Sequence, residues 1–231
     1  MSDKTFLTPK SARTFDAVVR AASELFGRQG YHKTTIRDIA RESGLGLGGV
    51  YYYVKSKEEL VLLFYERINQ QIETAFREQP PAKIGLPETL ARFLRLKIAH
   101  LTPYRDLLTV VMKEAIDPAS PLCPLNPASA PMLASSVALF REMVATSDAA
   151  KGAEIDQMAR ALWMAHMSIL MYWLHDRSET CSGTERAIDT LGALVLWSGR
   201  AARIPGFGAL RTQIFTLVEG LFQTERTGGA Q

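Results

Sequence analysis

Residues 34–60, TTIRDIARESGLGLGGVYYYVKSKEEL, constrain the fold of this chain more than any other segment. Thr35, followed three residues later by Asp38, predicts a capping box at the start of a short helix over Ile36–Glu42. Gly44 predicts a turn, because glycine accepts the left-handed backbone that often ends a helix. A second short helix is predicted over residues 47–54. Together they indicate a helix-turn-helix unit, which can place its second helix in the major groove of DNA.

The rest of the chain shows apolar residues at helical spacing, and no segment alternates with the period of two that is typical of a strand. A first helix is predicted from Pro9, a position where the missing amide hydrogen of proline costs nothing, to Gly30. Another begins at Ser56 or Lys57 and continues to about Glu78. Six more helices are predicted, over residues 87–100, 103–117, 131–147, 154–177, 183–203 and 207–224. The expected fold class is therefore all-α.

Prolines mark the breaks between these predicted helices. Pro80 and Pro81 end the fourth helix and indicate a seam between an N-terminal part and a larger C-terminal part. Residues 118–131 hold five of the eleven prolines, which predicts an irregular loop.

The distribution of charge agrees with a DNA-binding N-terminal segment. The net charge is +3, and residues 1–60 hold ten Lys/Arg against seven Asp/Glu. The remaining 171 residues hold seventeen of each, so the whole surplus lies in the N-terminal sixty residues, which include the predicted helix-turn-helix. Positive charge at that place favours attraction to phosphates.

Several classes of protein are disfavoured by the sequence. It has no Gly-rich phosphate loop, no nucleophile elbow and no His-Glu-x-x-His motif. We therefore expect that the protein is not an enzyme and has no catalytic residues, no cofactor and no metal site. Cys123 and Cys181 lack metal-ligand spacing and are interpreted as reduced thiols, with redox sensing as the alternative. The longest charge-free apolar run has fourteen residues, which is too short to span a bilayer. With no secretory signal at the start, the expected location is the cytoplasm, with no membrane partner.

One family shares the motifs of this N-terminal segment. They are the run Val50-Tyr51-Tyr52-Tyr53-Val54, the following Lys55-Ser56-Lys57-Glu58-Glu59-Leu60, and upstream Ala21-Ala22-Ser23-Glu24-Leu25-Phe26, Gly30-Tyr31 and Thr34-Thr35-Ile36. Over about residues 12–65 the chain resembles the TetR family of transcriptional regulators. The resemblance implies an N-terminal three-helix helix-turn-helix DNA-binding domain over residues 1–56. It also implies a C-terminal helical ligand-binding and dimerisation domain over residues 57–231.

The expected DNA contacts combine this resemblance with side-chain chemistry. Tyr51 and Tyr52 can direct their hydroxyls at phosphates or base edges, whereas Tyr53 can equally pack against the first helix. The glycines before Val50 offer few side-chain donors, which favours close backbone approach and readout of DNA shape. By resemblance, the residues before and at the start of the second helix hold phosphates. The full set of expected DNA-binding residues is Thr34, Thr35, Arg37, Leu47, Gly48, Gly49, Tyr51, Tyr52, Tyr53, Lys55 and Lys57.

The helix over residues 154–177 is apolar nearly all round, which predicts burial on both sides, one in its own domain and one against a partner subunit. The next long helix, with Leu194 and Trp197, would complete a four-helix interface. A homodimer also matches the symmetry of a palindromic operator. The alternative is a monomer whose core covers these helices.

Methionines crowd beside two tryptophans in the same helix and suit an adaptable apolar pocket, although such residues also fill ordinary cores. His166 is either a ligand contact or a core histidine with its hydrogen bonds satisfied. The expected ligand-binding residues are Met112, Trp163, His166, Met167 and Leu170. The function expected is a repressor released from a double-stranded DNA operator by a small hydrophobic or aromatic effector. The alternative is an activator or DNA-associated factor that acts through a protein partner without a small-molecule ligand.

Overall fold

The computed structural model describes residues 9–78, 84–147, 149–201 and 206–227, and the regular structure within them is helical. Pro80 and Pro81, the predicted seam, lie outside these ranges. Ten α-helices follow one another in the described ranges: α1 (Pro9–Gln29), α2 (Ile36–Glu42), α3 (Leu47–Tyr53), α4 (Lys57–Glu78), α5 (Leu86–Leu101), α6 (Arg105–Ala115), α7 (Ala130–Ala145), α8 (Glu154–His175), α9 (Ser182–Ala201) and α10 (Phe207–Thr227). The predicted all-α fold class is confirmed.

The helix-turn-helix unit forms as its local sequence predicts. The backbone N–H of Thr35 donates to the Asp38 carboxylate at 3.1 Å, and the backbone N–H of Asp38 donates to the Thr35 hydroxyl at 3.2 Å, which completes the capping box. Gly44 adopts a φ of +71°, so the chain turns there without the steric penalty of a Cβ. Val50 of α3 is fully buried and fixes this helix to the other two.

The chain divides into two compact units. The first contains Met1–Ile68 and Pro103–Cys123, and the second contains Asn69–Thr102 and Pro124–Gln231. In the first unit α6 packs on α1, which brings residues distant in sequence onto the helix-turn-helix. The first unit therefore contains more of the chain than residues 1–56, which were assigned to the DNA-binding domain from the sequence.

The second unit is a helical bundle in which α7 packs on α8, α5 on α9 and α10 on α8. Its core includes Trp173, Phe140, Leu94 and Ile188, each almost completely buried. Residues 118–129 have bends and turns with one short 3₁₀ segment, Pro127–Ser129, which confirms the predicted irregular loop, although α7 already begins at Ala130. No helix in the described ranges is long and apolar enough to cross a membrane.

A carboxylate fixes the connection between α8 and α9. Asp176 accepts hydrogen bonds from the backbone N–H and hydroxyl of Ser178, at 2.9 and 2.6 Å, and from those of Thr184, both at 2.7 Å. These donors hold the pKa of Asp176 below its usual value, because they stabilise the ionised form. The side chain thus ties the end of α8 to the first turn of α9.

Replacing Asp176 with asparagine should lower stability at pH 7 and flatten its acid dependence. The lowered pKa means that the carboxylate contributes stability above its ordinary pKa, and that this contribution is lost as pH falls through the folded-state value. Thermal unfolding from pH 7 to about pH 2 would measure the effect. Asp189→Asn removes an exposed carboxylate paired with Arg95 and should change stability little. Equal acid dependence in wild type and Asp176→Asn would contradict the assigned role.

Candidate DNA interface and ligand site

The helix α3 presents aromatic side chains to solvent opposite its buried residue. Tyr52 is 75% exposed and Tyr51 46% exposed, whereas Val50 on the other side of the helix is fully buried. Leu47, in the first turn, is also exposed. Large apolar and aromatic side chains exposed on a short helix are costly to leave in water, so the surface is suited to contact with another molecule.

Tyr53 lies on a different side of α3 and contacts α1. Its hydroxyl is 3.3 Å from the Ser11 hydroxyl, and its ring centroid is 6.1 Å from that of Phe15. Of the two roles that the sequence left open for Tyr53, packing against the first helix is the one these contacts support.

The ammonium of Lys57 is held by backbone carbonyls. Its Nζ donates to the carbonyl oxygens of Tyr31 at 2.6 Å, His32 at 3.3 Å and Thr34 at 3.4 Å, and lies 4.2 Å from the Tyr31 ring centroid. The Tyr31 hydroxyl donates to the Glu58 carboxylate at 2.9 Å. Lys57 therefore joins the start of α4 to the segment between α1 and α2, a different role from the phosphate contact expected from the sequence.

Lys55 is the exposed member of the lysine pair. Its backbone N–H donates to the Glu59 carboxylate at 2.6 Å, which fixes the chain where α3 gives way to α4. The side chain itself is exposed to solvent. An exposed ammonium beside Tyr51 and Tyr52 in sequence can meet a phosphate without breaking a contact within the protein.

The three residues expected near the start of α2 differ in exposure. Thr34 is buried, and its hydroxyl donates to the Gly30 carbonyl at 2.8 Å. Thr35 is exposed but its hydroxyl donates to Asp38 at 2.7 Å, and Arg37 is exposed on α2. Within this group Arg37 has the side chain best suited to reach a phosphate.

Gly48 and Gly49 are exposed, and both have room for a methyl group. A Cβ built on Gly48 meets nothing within 4 Å, and one built on Gly49 has only an ordinary contact with Leu45 at 3.9 Å. Neither glycine has a positive φ. The fold of the isolated protein therefore does not require glycine at these two positions.

Replacing Gly48 and Gly49 with alanine should raise stability and weaken operator binding. Each substitution should stabilise α3 by about 0.5–1 kcal/mol, because alanine loses less backbone entropy than glycine in a helix. If the backbone of α3 approaches DNA closely, the added methyl groups will lower operator affinity. Thermal unfolding and DNA titration of the same double variant would measure both effects. Unchanged operator affinity would contradict close backbone approach at these positions.

The residues expected to bind a ligand do not form one group. Met112 lies on α6 in the first unit, whereas Trp163, His166, Met167 and Leu170 lie on α8 in the second. The Trp163 ring packs against Phe222 of α10, with centroids 5.7 Å apart. Ligand contact by these five residues remains a prediction.

A cleft in the second unit lies between the second half of α4, α5 and α7. Asn69, Ile72, Phe93, Lys97 and Phe140 are among its lining residues, and the space open to water-sized molecules is about 20 Å³. His166 lies behind its aromatic wall, with its ring centroid 5.2 Å from that of Phe140 and 6.4 Å from that of Phe93.

Lys97 and Asn69 were missed in the sequence analysis, although α5 carries a signal for the lysine. Lys97 follows Leu90, Phe93 and Leu94 at helical spacing and precedes Leu101, and all five are buried. A single charge within an apolar stripe predicts a buried ionisable group, because the stripe faces the core. Asn69 has no comparable signal. In the described ranges no three or more His, Cys, Asp or Glu side chains are grouped to hold a metal ion.

An apolar face remains exposed on the last two helices of the second unit. We call Leu194, Trp197, Leu210, Ile214, Leu217 and Leu221 the apolar face; all are exposed, Trp197 by 56% and Leu217 by 75%. On α10 its members are spaced by four, three and four residues, which aligns them along one side of the helix. The Trp197 ring contacts Phe207 at the start of α10, with centroids 5.4 Å apart. The large apolar residues left exposed are thus mainly on α9 and α10. From the sequence, one side of α8 was expected to face a partner subunit.

This arrangement, a capped helix-turn-helix with an exposed aromatic helix followed by a helical bundle, defines a class of DNA-binding regulators. Two family models match the chain. The model described as "Bacterial regulatory proteins, tetR family" matches residues 18–63, and that described as "Tetracyclin repressor-like, C-terminal domain" matches residues 89–196. The chain belongs to the TetR family, whose members are transcriptional regulators and not enzymes.

Relatives of known name are similar over part of the chain. The fatty acid metabolism regulator protein of Bacillus subtilis (strain 168) is 31% identical over 98 residues, which are 42% of this chain and 50% of that protein. The HTH-type transcriptional repressor KstR2 of Mycolicibacterium smegmatis is 38% identical over 61 residues, 26% of this chain and 29% of that protein. The chain spans about half the length of the first curated relatives it matches.

Solved structures share the fold at low sequence identity. The transcriptional regulator FadR from Bacillus subtilis, in complex with stearoyl-CoA, has a TM-score of 0.61 at 19% identity, over 77% of this chain and 97% of that one. A TetR-like transcriptional regulator from Rhodococcus sp. RHA1 has a TM-score of 0.58 at 19% identity, over 83% and 98%. These likenesses support the fold alone.

Proposed function

We propose that this chain is a homodimeric repressor that binds a palindromic operator and leaves it when a small, largely apolar effector binds the second unit. The observation that carries the proposal is the surface of α3, where Tyr51 and Tyr52 are exposed beside the buried Val50. A helix that is packed against the protein on one side and exposed to solvent on the other is suited to insertion into the major groove. Lys55 and Arg37 supply exposed positive charge for the flanking phosphates.

A second copy of the chain is the proposed partner of the apolar face. Six large apolar side chains are exposed on α9 and α10, which meet where Trp197 contacts Phe207, and large exposed apolar surfaces are typical of interfaces. Two copies related by a twofold axis would bring their α9 and α10 helices together into a four-helix interface. The same symmetry presents two α3 helices to two half-sites of an operator.

The effector would act through α4, which runs from residues of the first unit into residues of the second. Asn69 and Ile72 of α4 line the cleft, and Lys57 at the start of the same helix holds the segment before α2. A ligand that binds one position of α4 better than another shifts the protein toward that position. Release from the operator therefore requires that the ligand bind the conformation that leaves the operator more tightly than the conformation that binds it.

Three of the named comparisons support this proposal, two of them an apolar effector and one a repressor. The B. subtilis relative is a fatty acid metabolism regulator, and the FadR structure of the same fold holds stearoyl-CoA. The M. smegmatis relative is a repressor. The proposed location is the cytoplasm, where operator DNA and small metabolites are both accessible.

Selection of bound fragments from genomic DNA by the purified protein would test the proposal. The expected result is a small set of sites that share a palindromic motif upstream of genes, with a reporter gene behind such a site silenced by the protein. Binding spread over all fragments without a motif would contradict it and would favour a DNA-associated factor that needs a protein partner. Increased reporter output would contradict repression and favour the activator alternative.

A further inference from the structure

Lys97 is a buried cation in the core-facing stripe of α5. The residue is only 7% exposed. Its Nζ donates one hydrogen bond, to the Asn69 side-chain oxygen at 3.2 Å. An ammonium has three donors, and most buried lysines are paired with an acid because the charged form is expensive to remove from water.

In the described part of the chain, no carboxylate lies within ion-pair distance of Lys97. Glu73 lines the same cleft, but its carboxylate binds Arg77 at 2.8 Å, and Arg77 also binds Glu142 at 2.6 Å. Burial lowers the pKa of Lys97 to about 8. The ammonium is therefore largely charged at neutral pH, and its positive charge is uncompensated.

A second buried polar atom near the cleft lacks a partner. His166 is 1% exposed, and its Nδ1 is 3.1 Å from the Trp163 carbonyl oxygen, which assigns the proton to Nδ1. No hydrogen bond from the described residues reaches Nε2. Burial and the nearby Lys97 charge lower the pKa of His166, so the ring is neutral and Nε2 is an acceptor. The neighbourhood of Lys97 thus has an unpaired cation and an unpaired acceptor.

Apolar side chains form part of the wall around Lys97, and Ser135 and Ser136 of α7 add polar groups to it. Ile72, Phe93 and Phe140 are buried and line the cleft, and the Lys97 Nζ lies 5.8 Å from the Phe93 ring centroid. The available space, about 20 Å³, holds about one water molecule, so a carboxylate or phosphate group would have to widen the cleft as it enters. An apolar body attached to that group would extend past the cleft mouth or displace the aromatic walls.

We propose that this cleft binds the anionic head group of an amphiphilic small molecule, a carboxylate or a phosphate monoester, with Lys97 as the counter-ion and the Asn69 amide as a second donor. The identification of this molecule as the effector rests on the proposed function, whereas the binding site rests on the contacts around Lys97. The anion would neutralise the Lys97 ammonium, which is buried with no carboxylate within ion-pair distance among the described residues. It would also contact α4 through Asn69.

Calorimetric titration and thermal unfolding of the full chain with decanoate, decyl phosphate and decanol would test the site. These probes share an apolar chain and differ in the head group. At least one of the two anions should bind wild type about tenfold or more tightly than decanol, since a charge-assisted contact distinguishes them. The tighter of the two anions would identify the head group.

Lys97→Met should lose that preference for the anion, and its melting temperature without ligand should equal or exceed that of wild type, because the unpaired buried charge is gone. Lys151→Met removes an exposed lysine of the same unit and should bind all three probes as wild type does. Three outcomes would each overturn the proposal. They are binding of decanol by wild type as tightly as both anions, binding of none of the probes by wild type, and anion binding retained by Lys97→Met. A marked loss of melting temperature in Lys97→Met would also do so, since it would show a stabilising structural role.

Operator binding by wild type and Lys151→Met, measured without any probe, separates this proposal from the proposed function. Specific operator binding without preference for the anions would leave the repressor proposal standing and overturn the anion site. Anion binding that requires Lys97, in a protein that binds no palindromic site, would support the anion site and overturn the repressor proposal.

Discussion

Replacing Leu217 with glutamate should convert the proposed dimer into a monomer and weaken binding to a palindromic operator by about 100-fold or more. Leu217 is among the most exposed members of the apolar face, and on α10 it lies between Ile214 and Leu221. In a twofold interface the substitution would bury two carboxylates without partners, each at a cost of several kcal/mol. Every 1.4 kcal/mol is a tenfold change in affinity, and a monomer holds only one half-site.

Sedimentation or light scattering would measure the mass of the variant, and titration with operator DNA would measure its affinity. Ile116→Glu is the matched control, since it places the same charge at a highly exposed apolar residue outside the apolar face. Its thermal stability and oligomeric state should match those of wild type. A dimeric Leu217→Glu variant with unchanged operator affinity would exclude α10 from the interface.

The second large effect is expected from the two lysines that flank Ser56. Lys57→Met should lower the free energy of unfolding by about 1–3 kcal/mol, because its ammonium donates to three backbone carbonyls that would lose this donor. Lys55→Met should leave stability unchanged, because the Lys55 side chain is exposed. Denaturant unfolding of both variants would measure this difference.

The same two variants should also differ in the salt dependence of DNA binding, where Lys55→Met should have the larger effect. Lys55→Met should weaken binding to all DNA sequences alike and reduce the slope of log affinity against log salt by about one. Lys57→Met should leave that slope unchanged when it is measured under conditions in which the variant is folded. A slope reduced equally by both substitutions would show that Lys57 also reaches a phosphate, and unchanged stability would contradict its structural role.

The sequence was sufficient wherever the relevant physics is local. The capping box of α2 depends on two residues three positions apart, and the turn at Gly44 depends on one residue without a Cβ. Helix bounds such as Ile36–Glu42 and Lys57–Glu78 follow from the spacing of apolar residues and from the residues that end them. The burial of Val50 and the exposure of Tyr51 and Tyr52 follow from the same periodicity.

Contacts between distant segments were decided only by the tertiary structure. The sequence could not show that the Lys57 ammonium meets carbonyls more than twenty residues earlier, or that Tyr53 meets Ser11. Nor could it pair Lys97 with Asn69, which lies on a different helix. Periodicity assigns a residue to a face of its own helix, but the partner of that face depends on how the helices pack. The sequence by itself therefore determined the family, the helices and the exposed surface of α3, whereas the tertiary structure decided which charged groups are engaged inside the protein and which remain able to bind another molecule.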